Sequence, residues 1–307
     1  MAGLPTLRRL LAAIDRIQFV LFRLPTALED IKINQGLMLA RQSALSESRD
    51  LQSHEFKVFS EWGEDGIIQH LIEVVEIRNR TFIEFGVEDF HESNCRFLMM
   101  KDHWQGFVID GSERLIGKLR AQSHYWRHDL QSKAAFITRE NINALLAESG
   151  FDSDIGILSI DLDGNDFHIL DAIVACEPRI LICEFNAVFG PDRKISVPYA
   201  ASFNRTQAHF SNLYFGASLA AMTHLANKRG YSLVGTNSVS TNAFFVRNDL
   251  MNDRLSPLTA AQAYRPSQTR ESRSQNGELT HLRGDARLAA IRGMPVLNVE
   301  TQEIEAL

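Results

Sequence analysis

Apolar residues recur at helical spacing through the first part of the chain. From residue 4 to about residue 46, leucine, isoleucine and valine return every three or four positions, which is typical of amphipathic helices. Pro25 divides the stretch, so we expect one helix before it and another after it. Residues 42–53 are polar and typical of a linker. The pattern predicts a helical N-terminal appendage and linker, residues 1–50, without which the main domain still folds.

From residue 56 onward, short apolar runs alternate with amphipathic stretches. This alternation is typical of βαβ units and predicts an α/β fold with a doubly wound, mostly parallel sheet. The last two predicted strands are too close for a helix between them, so we expect an antiparallel edge strand. The predicted strands are 81–85, 106–109, 135–138, 155–160, 180–185, 231–235 and 242–246. The predicted helices are 64–76, 94–103, 113–123, 140–148, 167–175, 217–229 and 285–292.

The chain divides into three segments by these patterns. The appendage precedes a main domain, residues 51–250, and residues 251–307 form a tail. The first part of that tail is rich in arginine, serine, glutamine and asparagine and has little apolar periodicity. We expect the C-terminal tail to be peripheral.

The composition is that of an ordinary soluble globular protein, with 45% apolar and 23% charged residues among 307. A net charge of -6 provides no basic footprint, which disfavours general binding to nucleic acid. Cys95, Cys176 and Cys183 lack metal-binding spacing, so we expect buried thiols in a reduced compartment. The apolar run IQFVLF is too short to span a membrane, and no cleavage site follows it. We therefore expect a cytoplasmic protein without a transmembrane span.

The first predicted helix has a basic character. Arginines occur at positions 8, 9, 16 and 23, among the apolar residues. One use is packing, either within the chain or between subunits of a homo-oligomer. The other is peripheral contact with the anionic inner face of a membrane. Packing is favoured because most amphipathic helices serve burial.

The segment TFIEFGVEDFHESNCRFL, residues 81–98, combines an apolar strand, an acidic loop and a helix start. Gly86 would let the backbone pass close to a ligand, and the helix near Asn94 would present free N–H groups. Glu84 and Glu88 would repel a pyrophosphate, and no phosphate-binding glycine motif is present. The loop suits a cationic ligand that carries hydroxyl groups. S-Adenosylmethionine meets both requirements.

The next predicted strand ends in FVIDGSE, which places Asp110 at the sheet edge. An acid there is positioned to accept the two ribose hydroxyls of an adenosine. The alternative is a turn or helix-capping aspartate before Gly111. Gly111, Ser112 and Asp129 are further candidates for the same cofactor site.

The segment LSIDLDGNDFHIL, residues 158–170, brings three carboxylates close together. Asp161, Asp163 and Asp166 would repel one another unless a cation, strong donors or a raised pKa stabilises them. A glutamate is missing at the position that an EF-hand requires, and a strand precedes the loop. We take Asp161 and Asp163, with His168 as a general base, as candidate catalytic residues.

The following strand ends in ICEFN, which offers Glu184 and Asn186. Neighbouring parallel strands end side by side, so these residues and Asp161 or Asp163 would converge on one hard cation, with magnesium the natural candidate. The alternative is that they bind substrate hydroxyls or cap turns. Further candidates for base, stacking or acceptor contacts are His91, His128, Trp62, Trp126, Tyr199, Tyr214 and Asn237.

These motifs together resemble a known family. FIEFGVED, VIDGSE, LSIDLDGNDFHILDAI and PRILICEFN, in this order, are similar to the FkbM-type branch of class I S-adenosylmethionine-dependent methyltransferases. SEWGEDGII, residues 60–68, is similar to the SQxGED string of the same group. The resemblance covers roughly residues 58–247. The chain departs from the family's glycine-rich first loop, since Gly86 is the sole glycine between residues 84 and 105.

The resemblance implies a Rossmann-like seven-stranded fold with the cofactor held by the Gly86 loop and Asp110. It also implies methyl transfer to oxygen, often on a sugar. The carboxylates at 161, 163 and 184 are further similar to the magnesium site of catechol O-methyltransferase. We therefore expect an O-methyltransferase for a sugar or polysaccharide-linked acceptor. The alternatives are a nucleotide-sugar or NAD-linked enzyme, and a non-catalytic module of surface-polysaccharide assembly.

Overall fold

Residues 4–307 contain ten strands in two sheets. The structure is a computed structural model that describes the backbone of residues 4–307 and the side chains of residue 9 and residues 11–307. The strands are β1 (Thr81–Phe85), β2 (Gln105–Asp110), β3 (Leu130–Ala134), β4 (Ile157–Ile160), β5 (Ile180–Glu184), β6 (Ile195–Ser196), β7 (Tyr231–Thr236), β8 (Asn242–Arg247), β9 (Pro295–Asn298) and β10 (Ile304–Ala306).

Helices surround the larger sheet and precede it. They are α1 (Leu4–Ala44), α2 (Glu64–Val74), α3 (Arg96–Asp102), α4 (Glu113–Arg120), α5 (Ser123–Arg127), α6 (Ile142–Ala147), α7 (Asp166–Ala172), α8 (Arg205–Ala208), α9 (Leu219–Lys228), α10 (Ala260–Ala263) and α11 (Asp285–Ala290). Short 3-10 turns at Leu51–His54, Ala187–Phe189 and Asn248–Leu250 complete the elements.

The larger sheet has seven strands in the order β3-β2-β1-β4-β5-β8-β7. Strands β1 to β5 pair in parallel, whereas β8 is antiparallel to both β5 and β7. The predicted fold class is confirmed, and β8 provides the antiparallel pairing at this edge because it inserts between β5 and β7. The strand order reverses between β1 and β4, and ligands bind at such a reversal in open α/β sheets.

Both faces of the large sheet are buried, as the near-continuous apolar strands require. In β1, Ile83 and Phe85 lie in one core cluster and Phe82 lies in the other. Since side chains alternate across a strand, Glu84 shares the face of Phe82 and is itself buried. This core tolerates a carboxylate because the residues just before α3 donate hydrogen bonds to it.

The third strand differs from its prediction. It is formed by residues 130–134, which pair with β2, whereas residues 135–138 lie beyond its end. The strand LQSKA is largely polar because it forms the exposed edge of the sheet, so apolar content did not mark it. The apolar residues after it contribute to a cavity wall instead.

The appendage is one continuous helix that includes Pro25, rather than two helices. A proline in a helix removes one hydrogen bond without necessarily ending the helix. The second half of α1 packs on the main domain: Ile33 and Leu39 contact a cluster that contains Phe97, and Glu29 forms an ion pair with Arg96. The first half has no comparable partner among the described residues. In residues 4–307, no helix combines the length and apolar content needed to cross a membrane.

The C-terminal segment is not merely peripheral. Strands β9 and β10 form a second sheet with β6, in the order β10-β9-β6. Ile291 and Val296 are fully buried in one cluster with Ile195 and Leu213. The predicted boundary at residue 250 therefore separates two segments that share a core. The polar first part of the tail obscured this packing, because the apolar residues that join the core lie after it, mostly at 290–296.

Candidate functional site

A cavity of about 980 Å³ lies at the carboxyl edge of the large sheet. Its floor is made by residues at the ends of β1, β2, β4 and β5. A segment around α8 and Glu271 of the C-terminal segment form its opposite side. The cavity therefore lies at the strand-order reversal, where the fold predicts a ligand.

Gly86 fixes the geometry of the first loop. Its φ is +72°, and a Cβ at this position would lie 1.8 Å from the carbonyl oxygen of Asp161. Its N–H donates to the carbonyl of Ile109 at 3.0 Å. Only glycine permits this approach, so it serves the contact between the ends of β1, β2 and β4. We expected Gly86 to allow the close approach of a ligand; it also allows this contact between backbones.

Glu84 anchors the start of α3. Its carboxylate accepts hydrogen bonds from the Ser93 hydroxyl at 2.6 Å and from the N–H groups of Asn94 at 2.7 Å and Cys95 at 3.2 Å. Burial raises the pKa of Glu84 to about 7 despite these donors. The side chain lines the cavity, but its oxygens hold the loop and helix in place.

Asp110 lies at the end of β2 and lines the cavity. One carboxylate oxygen accepts from the N–H of Ser112 at 2.7 Å, and the other accepts from the N–H of Glu88 at 2.9 Å. The residue thus has the turn role considered as the alternative. Each oxygen keeps a further lone pair for a ligand hydroxyl, so the two roles are compatible.

The structure brings six of the eight predicted cofactor residues to the cavity. These are Glu84, Gly86, Glu88, Asn94, Asp110 and Gly111. Ser112 is not among the residues that line it, because its hydroxyl caps α4 by accepting from the N–H of Leu115. Asp129 precedes β3 and so lies at the amino edge of the sheet, opposite the cavity. Its carboxylate accepts a hydrogen bond from the side chain of Gln105 at 2.5 Å. Strands β2 and β3 pair in parallel, so a residue before β3 cannot reach the carboxyl edge.

Three carboxylates meet at the ends of β4 and β5. Oxygens of Asp161, Asp166 and Glu184 lie within 4.8 Å of one another. Burial raises the pKa of Asp161 and of Glu184 well above the usual range. Repulsion from Asp163 and Asp166 raises the pKa of Asp161 further, and repulsion from Asp161 raises that of Glu184. The Oε2 atom of Glu184 is buried without a hydrogen-bond partner among the described residues. These two side chains are therefore free to receive a proton or a ligand.

The other two predicted metal ligands have different roles. Asp163 has a side chain that is 63% exposed, and it forms an ion pair with Arg205 at 2.7 Å. Asn186 is buried; its Nδ2 donates to the carbonyls of Leu213 and Phe215, and its Oδ1 accepts from the N–H of Val188. Asn186 caps a turn, which was the alternative considered for it, and it does not line the cavity.

Asp166 takes their place beside Asp161 and Glu184. Its two oxygens accept from the N–H groups of Leu162 at 2.7 Å and Gly164 at 3.0 Å, so it also holds the turn after β4. Burial raises its pKa to about 6. A set made only of carboxylate oxygens fits a hard cation such as magnesium. The fit is partial, since both oxygens of Asp166 already accept backbone donors.

His168 lies outside the main cavity. It lines a separate cavity of about 340 Å³, where its Nε2 is 2.8 Å from the carbonyl oxygen of Val197. It follows Asp166 by two residues on α7, so its side chain points to another side of the helix. The predicted role of His168 as a base at the carboxylate cluster is not supported by this position.

The remaining candidates are mostly engaged elsewhere. His91 lines the main cavity, whereas His128 stacks on His103. Neither of the two tryptophans named as adenine partners lines the cavity, and Trp126 is 72% exposed. The other three form hydrogen bonds outside it: Tyr199 to Glu140, Tyr214 to the carbonyl of Pro295, and Asn237 to Glu64.

Several cavity residues were not identified from the sequence. Phe136 and Ile137, which follow β3, form an apolar wall with Leu115. The run AAFIT provided the signal, but it was assigned to the strand itself. Arg205 and Glu271 reach the cavity through tertiary packing that no local pattern encodes.

The cavity is strongly acidic. Ten carboxylate side chains line it, against the single guanidinium of Arg205. That guanidinium lies 3.8 Å from the centre of the Phe215 ring, and Glu184 and Asp163 raise its pKa although burial acts in the opposite direction. The positive charge of Arg205 is therefore already compensated by the neighbouring carboxylates. The surplus negative charge favours a cationic ligand.

Comparisons with known proteins give structural similarities alone. No family model matches the chain, and no curated protein matches it. Similar solved structures include the N-terminal domain of EvdMO1 with SAH bound, at 9% identity and a TM-score of 0.40 over 61% of this chain and 80% of that chain. The methyltransferase domain of bacterial CtHen1-C has 13% identity and a TM-score of 0.38 over 60% and 96%. SAH-bound Podospora anserina methyltransferase PaMTH1 has 7% identity and a TM-score of 0.36 over 55% and 71%.

Proposed function

We propose that this protein is an S-adenosylmethionine-dependent O-methyltransferase. The observation that carries the proposal is the acidic cavity at the sheet edge, where the Gly86 loop lies beside Asp110. The excess of carboxylates would repel the phosphate groups of a nucleotide and attract a sulfonium with an ammonium group. The FkbM-like motifs, which contribute these same residues, support the same proposal.

The cavity offers a separate place for each part of the cofactor. Asp110 would accept hydrogen bonds from the ribose hydroxyls, and the apolar wall around Phe136 would contact the base. When bound, the cofactor supplies an electrophilic methyl group on its sulfonium. The chain's own residues orient the acceptor, exclude water and remove a proton.

Asp161 and Glu184 are the residues best placed to take the acceptor's proton. Their raised pKa values make them stronger bases than an ordinary carboxylate, and each lies at the strand edge inside the cavity. In this proposal the acceptor hydroxyl proton passes to one of them as the oxygen gains its methyl group. The acceptor is a sugar or a polysaccharide-linked hydroxyl, as the family resemblance implies.

A magnesium ion is the competing arrangement at the same position. Asp161, Asp166 and Glu184 would then hold the ion, which would lower the pKa of the acceptor hydroxyl. Exhaustive chelation separates the two arrangements. Activity that survives chelation and ignores added magnesium supports the carboxylates as the base and excludes the ion.

Calorimetry with S-adenosylhomocysteine and a matched pair of variants tests the proposal. Asp110→Asn should weaken binding about ten- to a hundredfold, because it removes charge-assisted hydrogen bonds worth roughly 1.5–3 kcal/mol. Asp129→Asn, which changes the same residue type outside the cavity, should leave the affinity unchanged. A wild-type protein that shows no saturable binding, or two variants that behave alike, would contradict the proposal.

Transfer of a labelled methyl group to a panel of glycosides tests the reaction itself. Label should appear in an alkali-stable ether on the acceptor, as expected for a methylated hydroxyl. Saturable cofactor binding without transfer to any glycoside would instead support a non-catalytic module of surface-polysaccharide assembly.

A further inference from the structure

The face of α1 that points away from the main domain carries a regular seven-residue repeat. Writing the heptad as abcdefg, position a is occupied by Leu7, Ile14, Leu21 and Leu28, and position d by Leu10, Ile17, Leu24, Ile31 and Met38. The a and d positions are apolar without interruption from Leu7 to Ile31, and Gln35 then occupies position a before Met38 at position d. In the described side chains, from Ile14 to Met38, the exposed fraction of each is between 41% and 71%.

The main domain binds the opposite side of the same helix. Glu29 and Gly36 occupy position b, and Ile33 occupies position f. Glu29 pairs with Arg96, Ile33 packs near Phe97, and Gly36 lies so close that a Cβ there would be 2.6 Å from Val58. Positions b and f lie across the helix from a and d. Docking of α1 on its own domain therefore leaves the apolar seam uncovered.

We propose that a second copy of this chain covers the seam, and that two α1 helices form a coiled coil. A straight helix drifts about 20° for each heptad, so a helix lying on a membrane does not need a strict seven-residue repeat. Two helices that wind around each other do need it, since each a and d side chain must meet the partner helix.

The available area is sufficient for a stable dimer. The seven described seam residues expose on the order of 700 Å² in each chain, so a symmetric pair would bury about 1,400 Å², within the range of stable interfaces. Neighbouring Val20 at position g and Leu11 at position e add apolar area beside the seam. The polar c positions, with Arg9, Arg16 and Arg23, would remain in solvent.

Sedimentation velocity of the full-length chain tests the proposal. The wild-type protein should sediment as a species of twice the 34.7 kDa chain mass. Leu21→Asp places a charge at position a and should weaken self-association at least about a hundredfold. Phe22→Asp is the matched control: Phe22 is the next residue and 84% exposed, but it lies at position b, so the dimer should persist.

Disulfide trapping provides a second measurement that does not depend on a charged variant. The three native cysteines are buried. Leu21→Cys should therefore form a covalent dimer on mild oxidation, and Phe22→Cys should not. Position a residues of the two chains face each other when the helices run parallel, so the Leu21→Cys crosslink reports a parallel pair.

Three results would overturn the proposal. The first is a monomeric wild-type chain at micromolar concentration. The second is loss of the dimer in both aspartate variants, which would indicate a broad apolar face rather than a seam. The third is a monomer that co-sediments with vesicles containing anionic lipid, which would assign the apolar face to a membrane surface.

Discussion

At the residue scale, Asp161 and Glu184 are the carboxylates best suited to take up a proton. Their ionised forms also destabilise the folded protein. Neither carboxylate has a hydrogen-bond donor among the described residues; burial raises the pKa of both, and Asp161 raises that of Glu184 further. By contrast, Glu84, Asp65 and Asp166 are more deeply buried, and each accepts two or more backbone N–H groups. Buried acids of the second kind hold loops, and those of the first kind are available for chemistry.

The pH dependence of methyl transfer should reflect this pair. Transfer requires an ionised base, so we expect kcat/KM to rise with pH through an apparent pKa above the ordinary carboxyl range. Asp161→Asn removes the neighbouring charge and lowers the pKa of Glu184. The rising limb of the profile should therefore move to lower pH, with a lower maximum rate. An unchanged limb would exclude coupling between the two residues.

The same pair should lower stability at alkaline pH. A carboxyl whose pKa is raised by folding contributes stability below its ordinary pKa of about 4, and the contribution is lost as the pH rises through the folded value. Glu184→Gln should therefore increase the free energy of unfolding at pH 8 by about 1–2 kcal/mol, with a smaller effect at pH 5. Urea denaturation at the two pH values measures the difference. Destabilisation at both would show that Glu184 has a structural role.

At the scale of elements, the ends of the strands were predicted more accurately than the segments that pack over those ends. The runs before Gly86, Asp110, Asp161 and Glu184 are buried on both faces, so their apolar content marks them clearly. Strand β3 was misplaced because an edge strand needs little apolar residue content. The roles of Asn186 and His168 depend on which direction each side chain takes after the strand or along the helix. Sequence spacing does not fix that direction.

The two halves of α1 should differ in their contribution to stability. A chain of residues 26–307 keeps Glu29, Ile33 and Leu39, so its main domain should unfold with the wild-type free energy. A chain of residues 47–307 exposes Phe97 and leaves the buried Arg96 without its carboxylate. We expect it to lose at least about 3 kcal/mol. Chemical denaturation of both chains measures this, and equal stabilities would restore the view of α1 as a dispensable appendage.

At the scale of the whole molecule, the alternation of strands and helices was enough to predict the sheet, but not the pieces that close the cavity. The pairing of β6 with β9 joins residues about 100 positions apart, and such pairing leaves no local signal. Glu271 and Arg205 also reach the cavity through contacts between distant parts of the chain. The sequence therefore indicated the cofactor side of the cavity and left its other side undefined.

The net charge of -6 and the acidic cavity should make cofactor binding sensitive to salt. S-Adenosylmethionine carries a net positive charge, and S-adenosylhomocysteine is neutral overall. Raising the salt from about 0.05 to about 0.5 M should weaken binding of the first about threefold to tenfold, because screening removes long-range attraction. Binding of the second should change less. Equal salt dependence by calorimetry would indicate that the carboxylates are neutralised in the free protein.

Arg96 connects two regions that are otherwise separate. One of its nitrogens pairs with Glu29 of α1 at 2.5 Å, and another donates to the carbonyls of Phe90 and His91, which belong to the loop at the cavity. A shift of α1 that withdraws Glu29 would leave this buried cation without a carboxylate, held by the loop carbonyls, His124 and the ring of Phe59. Self-association through α1 and occupancy of the cavity would then share a coupling free energy. By reciprocity, whatever factor dimerisation applies to cofactor affinity, the cofactor applies to dimerisation.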